Sequence, residues 1–159
     1  MISKEHLTII EQTARDLFEK IDMQGDLKVE SNEDDSVVVV SVEVGEPKIY
    51  IGEKGQTLFE IQHILKLFIR KKIQEPVYIS LDINDYKKNK EEYLRDLANT
   101  TADEVVLLKK EKELPPMPPS ERKIIHMALA DRADVVSESV GEDGERRVTI
   151  KPKSMSTAS

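Results

Sequence analysis

Two short groupings hold the residues of this 159-residue sequence whose types and spacing could do chemistry. The first is Gly52-Glu53-Lys54-Gly55, between the apolar Ile49-Tyr50-Ile51 and an amphipathic run beginning at Gln56. Two glycines let another chain approach without interference from Cβ. Exposed amides at the start of the following helix favour an anion, and the helix dipole adds about 0.3–1 kcal/mol. Lys54 can reach the same anion. A gap of two residues is too short for a nucleotide-binding P-loop, and a dinucleotide fingerprint does not match either. The second grouping is Arg122 and His126, four residues apart and therefore on one helical face, with Ile124, Ile125, Ala128 and Leu129 on the buried side. Taken alone, the tetrapeptide also fits an ordinary glycine-containing helix start. The pair likewise fits a solvated Arg beside a part-buried His held by Asp131 or Glu121.

Composition narrows the chemistry further. There is no Cys, which excludes disulfides, thiol catalysis and thiolate zinc sites. His6, His63 and His126 lie far apart, so no metal site is expected, and no cofactor. No nucleophile motif or paired-carboxylate segment organises a reaction, so an enzyme is not expected. The formal charge of −7 disfavours indiscriminate polyanion binding, and any nucleic-acid site must be local. One such strip exists: residues 53–72 carry five basic and two acidic residues, a balance of +3 that includes Lys66 and Arg70. Residues 120–150, by contrast, carry five basic and seven acidic residues, −2. No run approaches the ~18 apolar residues of a membrane span, and a cytoplasmic location is expected.

Spacing then supplies the elements that position these groups. Leu7, Ile10, Ala14, Leu17, Phe18 and Ile21 predict a helix from Lys4 to Ile21, with Ser3 as its cap. Leu27 and Val29 alternate in a strand, and the Val-rich run from Val37 to Val44 places Val38, Val40, Val42 and Val44 on one side of another. Leu58, Ile61, Leu65 and Phe68 predict a helix over 56–73, whose other face carries Gln62, Lys66 and Arg70. Val77 to Ile83 alternates as a strand. Residues 85–110 read as a long helix bridging two units, and Pro115, Pro116, Pro118 and Pro119 as a stiff linker unable to join helix or sheet. Ser120 should cap a helix running to about Asp131, followed by strands at Val135–Val140 and Arg146–Ile150 around Gly141-Glu142-Asp143-Gly144. Phe18, Phe59 and Phe68 are expected to pack in cores, and the tail from Ser154 to be disordered.

The stretch from Ile51 to Leu58, followed by Ile61-Gln62-His63-Ile64-Leu65, resembles the core of a KH domain, in which GxxG clamps a short single strand. The resemblance implies that Gly52, Glu53, Lys54 and Gly55 form the backbone-holding loop and that Ile51 borders the base groove. Glu53 departs from the family, whose variable pair is often basic. The segment from Pro118 to His126, with Arg146-Arg147-Val148-Thr149-Ile150, is similar to the R-three-H domain, named for its Arg-x-x-x-His helix, which binds single-stranded nucleic acid. That likeness implies roles for Arg122, Lys123 and His126, with Arg146 and Arg147 extending the site toward phosphates. KH followed by R-three-H resembles the bacterial Jag/KhpB (SpoIIIJ-associated) family. Members often carry a further N-terminal domain, which this sequence is read as lacking.

The expected architecture is α+β: a KH-like three-stranded sheet packed by helices over 1–84, a connecting helix and Pro-rich linker over 85–119, a small α/β R-three-H domain over 120–152, and a tail over 153–159. The resemblance implies a cytoplasmic RNA chaperone or post-transcriptional regulator that holds single-stranded RNA, or single-stranded DNA, and that partners a small single-KH protein or a second copy of itself. The alternative is a protein-interaction adaptor with little direct nucleic-acid binding, which Glu53 and the acidic balance favour.

Overall fold

A computed structural model describes residues 2–156. The chain forms two compact units, residues 1–87 and 88–159.

The first unit opens with α1 (Lys4–Lys20), capped as expected: the Ser3 hydroxyl accepts from the His6 amide and the His6 ring accepts from the Ser3 amide. β1 (Gly25–Ser31) and β2 (Val37–Val44) pair antiparallel, and β2 pairs parallel with β3 (Tyr78–Ile83), giving the sheet order β1-β2-β3. Between β2 and β3 come a five-residue helix α2 (Pro47–Ile51), the tight turn Glu53–Gly55 and α3 (Gln56–Lys72). The Val side of β2 is buried, and Val38, Val40 and Val42 pack with Ile10 and Phe18 of α1 and Leu58, Ile61 and Leu65 of α3. Each such burial contributes about 1.5–3 kcal/mol. Two aromatic expectations fail. Phe18 is buried, but Phe59 is 63% and Phe68 43% exposed, because Leu58, Ile61, Leu65 and Ile69 already fill the stripe of α3 that faces the sheet.

The second unit holds α4 (Tyr86–Leu108, from residue 88 onward), β4 (Lys112–Glu113), α5 (Pro119–Leu129), β5 (Val135–Val140), β6 (Arg147–Pro152) and α6 (Lys153–Ser156). Its sheet order is β4-β6-β5, antiparallel throughout. Here the reading of residues 85–119 as a connector is corrected. Leu94, Ala98, Ala102 and Val105 of α4 are buried with Leu114, Ile125, Leu129, Val148 and Ile150 in one core, so this helix is a structural layer of the second unit. The proline segment also joins a sheet. Its two non-proline amides, Leu114 and Met117, donate to the Val148 and Arg146 carbonyls at 2.9 and 3.1 Å, continuing β4 along β6. Prolines are compatible with this edge because their missing donors need not face the sheet.

Two smaller expectations also change. α5 starts one residue before Ser120: Pro118 is its cap residue, Pro119 supplies the first-turn geometry, and the Glu121 and Arg122 amides donate to the Pro118 carbonyl at 3.1 Å each. Ser154 belongs to α6, which follows β6 directly and is anchored by the Lys153 amide on the Asp134 carbonyl at 3.0 Å. The remaining tail expectation, residues 157–159, lies outside the described residues.

Candidate nucleic-acid interface

The glycine turn is shaped by its two glycines. Gly52 has φ 72° and ψ −178°, a conformation essentially confined to glycine, and a Cβ there would lie 2.1 Å from Thr57 Oγ1 and 2.9 Å from the Thr57 amide nitrogen. Gly55 is left-handed at φ 80°, and a Cβ there would sit 3.0 Å from Cε1 of Tyr86. Lys54 between them is left-handed as well, at φ 52°. The turn closes by the Gly55 amide on the Gly52 carbonyl at 3.3 Å. Glu53 and Lys54 are exposed, and Ile51 is half-buried against the core. No side chain caps α3 at Gly55; its first amide, that of Gln56, donates to the Glu53 carbonyl inside the turn.

Past the turn, α3 runs alongside β3, an edge strand of its sheet. Lys66 and Arg70 are exposed and line a groove of 340 Å³ with Ile69, Ile73, Glu75 and Tyr78. Gln62, expected on the same outward face, instead has its Oε1 engaged by two donors, the Leu81 amide and Lys87 Nζ, each at 2.9 Å. Lys87 Nζ also donates to Ser80 Oγ at 2.9 Å. Desolvation holds the Lys87 ammonium below the usual lysine range; Asp82 partly offsets this and the charge of Lys66 adds to it. The sequence reading missed Lys87, Ser80 and Tyr78. The available signal was Gln62 itself, a neutral polar residue immediately after Ile61 of the buried stripe.

In the second unit, α5 and β5 build one polar face. Arg122 Nε donates to the Met117 carbonyl at 3.3 Å, and among the described residues its terminal nitrogens have no partner. His126 lies between two serines of β5, Nδ1 at 2.7 Å from Ser137 Oγ and Nε2 at 2.8 Å from Ser139 Oγ. Desolvation, then the nearby charge of Arg122, lowers the His126 pKa and favours the neutral ring. A neutral ring has one donor and one acceptor nitrogen, and hydroxyls satisfy either role. Lys123 is exposed on the next position of α5.

Arg146 and Arg147 are differently placed. Arg146 Nη1 donates to the Gly141 carbonyl at 2.9 Å, bracing the β5–β6 turn. Arg147 is tied to Glu145 at 3.1 Å and Glu113 at 3.5 Å. Among the described residues, no hydrogen bond or ion pair joins either arginine to Arg122 or His126. Among those residues, too, no cluster of three or more His, Asp or Glu could hold a metal ion, and no helix is long and apolar enough to cross a membrane.

The R-three-H domain pattern matches residues 92–152, so the domain begins within α4 and not at Ser120. Over 137 residues, 86% of this chain and 62% of the relative, the sequence is 35% identical to the RNA-binding protein KhpB of Clostridium symbiosum. Over most of its length the chain is similar to the Jag/KhpB proteins. It is also 35% identical over 107 residues to the RNA-binding protein KhpB of Bacillus subtilis, covering 66% of this chain and 51% of that one. The KhpB protein of Lactiplantibacillus plantarum matches at 34% over 102 residues, 64% of this chain and 32% of the relative. This chain therefore spans between about a third and just under two thirds of the length of these relatives.

Proposed function

We propose that this protein binds single-stranded RNA, using the turn from Gly52 to Gly55 and the start of α3 in the first unit, and Arg122, Lys123 and His126 in the second. The observation that carries this reading is the turn itself. Two glycines in conformations that side chains resist lead into a helix with no side-chain cap, and the exposed Lys54 lies between them in the chain. That arrangement suits a sugar-phosphate backbone. The relatives' own names, RNA-binding protein, support it. Lys66 and Arg70 extend the cationic track along α3. In this reading the protein is a non-enzymatic, cytoplasmic RNA chaperone or post-transcriptional regulator.

The test is fluorescence anisotropy of a short unstructured RNA with the wild type and with Lys54→Asp, at several salt concentrations. The wild type should bind with a log–log salt slope near −3 for about four phosphate contacts. Lys54→Asp should weaken binding about tenfold or more, and a complex indifferent to salt and to this substitution overturns the assignment to the turn.

One observation favours a second reading, that of a protein-interaction adaptor. α3 exposes Ile64, Leu67 and Phe68 at 43–46%, an apolar strip suited to a second copy or to a small single-KH partner. Light scattering after size exclusion, and a pull-down that survives nuclease, support that reading; a monomer with nuclease-sensitive capture removes it.

A further inference from the structure

Gln62 is an amide whose orientation is forced. Its Oε1 receives the Leu81 amide and the Lys87 ammonium, both at 2.9 Å and both donors only. An amide nitrogen cannot face two donors, so the NH2 group must be on the other side. Among the described residues that NH2 has no acceptor, although the side chain is only half exposed. In the nearby Asp82, Oδ1 takes the Ile83 and Lys87 amides at 2.9 and 3.1 Å. What remains at Gln62 is a donor without an acceptor among the described residues. Gln62 precedes by one turn of α3 the Lys66 that lines the 340 Å³ groove, and Lys87 is close enough to feel the charge of Lys66.

We infer that Gln62 Nε2 is a fixed donor that hydrogen-bonds an acceptor oxygen of the bound strand, with Lys87 and the Leu81 amide as the positioning groups that prevent the side-chain amide from rotating. This rests on the RNA-binding reading above and adds to it a subsite beyond the glycine turn. The chemistry selected is an oxygen acceptor, supplied by a base carbonyl or by a phosphate. An amide held in one orientation discriminates, since a donor in its place on the ligand would leave both sides unsatisfied.

The decisive variant is Gln62→Glu. The carboxylate keeps an oxygen for both Leu81 and Lys87, so the fold is retained, and the outward atom changes from donor to acceptor. Anisotropy with an unstructured uridine-rich RNA should show binding weakened about tenfold or more, with an unchanged or raised melting temperature. His63→Glu, which adds the same charge at the next, exposed position of α3, should weaken it less than about threefold.

Wild-type binding that Gln62→Glu leaves intact, or that His63→Glu reduces equally, overturns this inference and leaves the RNA-binding reading standing. A wild type that binds no RNA overturns both. If Gln62→Glu does not fold, the side-chain amide resonance of Gln62 in the wild type decides: it should shift on adding the RNA, and an unmoved pair refutes the contact. The same strand with abasic residues separates the sources. A penalty that persists there assigns the oxygen to phosphate, and one that vanishes assigns it to a base.

Discussion

Asn84 grips Val44 with both arms of its side-chain amide: Oδ1 accepts from the Val44 amide and Nδ2 donates to the Val44 carbonyl, each at 2.9 Å. The side chain thus acts as one more residue of a strand, pairing the last position of β2 just before the chain turns into α2 and the glycine turn. The Asn84 backbone is left-handed, φ 50°, a conformation asparagine tolerates better than most residues.

Asn84→Ala should therefore destabilise the first unit by about 2–4 kcal/mol, from two part-buried hydrogen bonds and the left-handed backbone. Asn84→Asp keeps the acceptor and, when protonated, a donor as well, so it should cost less below the carboxylate pKa than above it, where a charged oxygen faces the Val44 carbonyl. Urea denaturation measures both, and a midpoint unchanged by Asn84→Ala would refute the clamp.

The two glycines of the turn should not be equivalent. Gly52→Ala meets Thr57 at 2.1 Å in a backbone region open only to glycine, and is expected to cost about 2–3 kcal/mol and to abolish binding by the turn. Gly55→Ala meets only a ring edge at 3.0 Å in the ordinary left-handed region, and should cost about 1 kcal/mol. Gly55→Asn should be tolerated and Gly52→Asn should not. The ranking is read from thermal melts beside RNA titrations, and equal losses at the two positions would contradict this geometry.

His126 should titrate below its ordinary 6.5, since desolvation and Arg122 both disfavour its cation. Between the lowered folded value and the unfolded one, the unfolded chain binds more protons, so stability rises with pH in that window. The contribution is present in full above about pH 6.5 and is lost as pH falls through the folded value. An NMR titration of the ring checks the position. His126→Gln should flatten the loss of stability on going from pH 7.5 to 5.5, a loss that solvent screening of this part-exposed ring holds to ~1 kcal/mol or less. A ring titrating above 6.5 would overturn the neutral, serine-held assignment.

The arginines of the second unit should separate by their partners. Arg122 has terminal nitrogens without partners among the described residues, and Arg122→Ala is expected to weaken RNA binding about tenfold at low salt. Arg147 already engages Glu113 and Glu145, and Arg147→Ala should change affinity less than about twofold. Titrations of the two variants side by side decide, and the reverse order would place the site on β6.

Much of this molecule was legible because local pattern and burial agree. The alternation over Val37–Val44, the Ser3 cap of α1 and the stripe of Leu58, Ile61 and Leu65 each reflect a period that the chain expresses by itself. The glycine turn was visible for the same reason, since glycine spacing is a direct record of backbone conformation. The unit boundary was not. Residues 85–119 look like a connector because α4 is densely charged and the prolines suggest a spacer, and only packing shows that Ala98, Ala102 and Val105 close a core. Small residues such as these give a weak hydrophobic signal, yet they permit the close approach that the core requires.

By itself the sequence determined the α+β class, the order of most elements, the two chemical groupings and the resemblance to the Jag/KhpB family. Only the tertiary structure decided which polar atoms are free. Gln62 and Lys66 share a helix and look alike in a helical projection, but Leu81 and Lys87 are brought to Gln62 by the sheet edge and the start of α4. Arg122 and Arg147 look alike as well, until Glu113 arrives beside Arg147 through the pairing of β4 with β6. Hydrogen-bond partners distant in sequence leave no local period to read, so the state of a donor is settled by what folding places beside it.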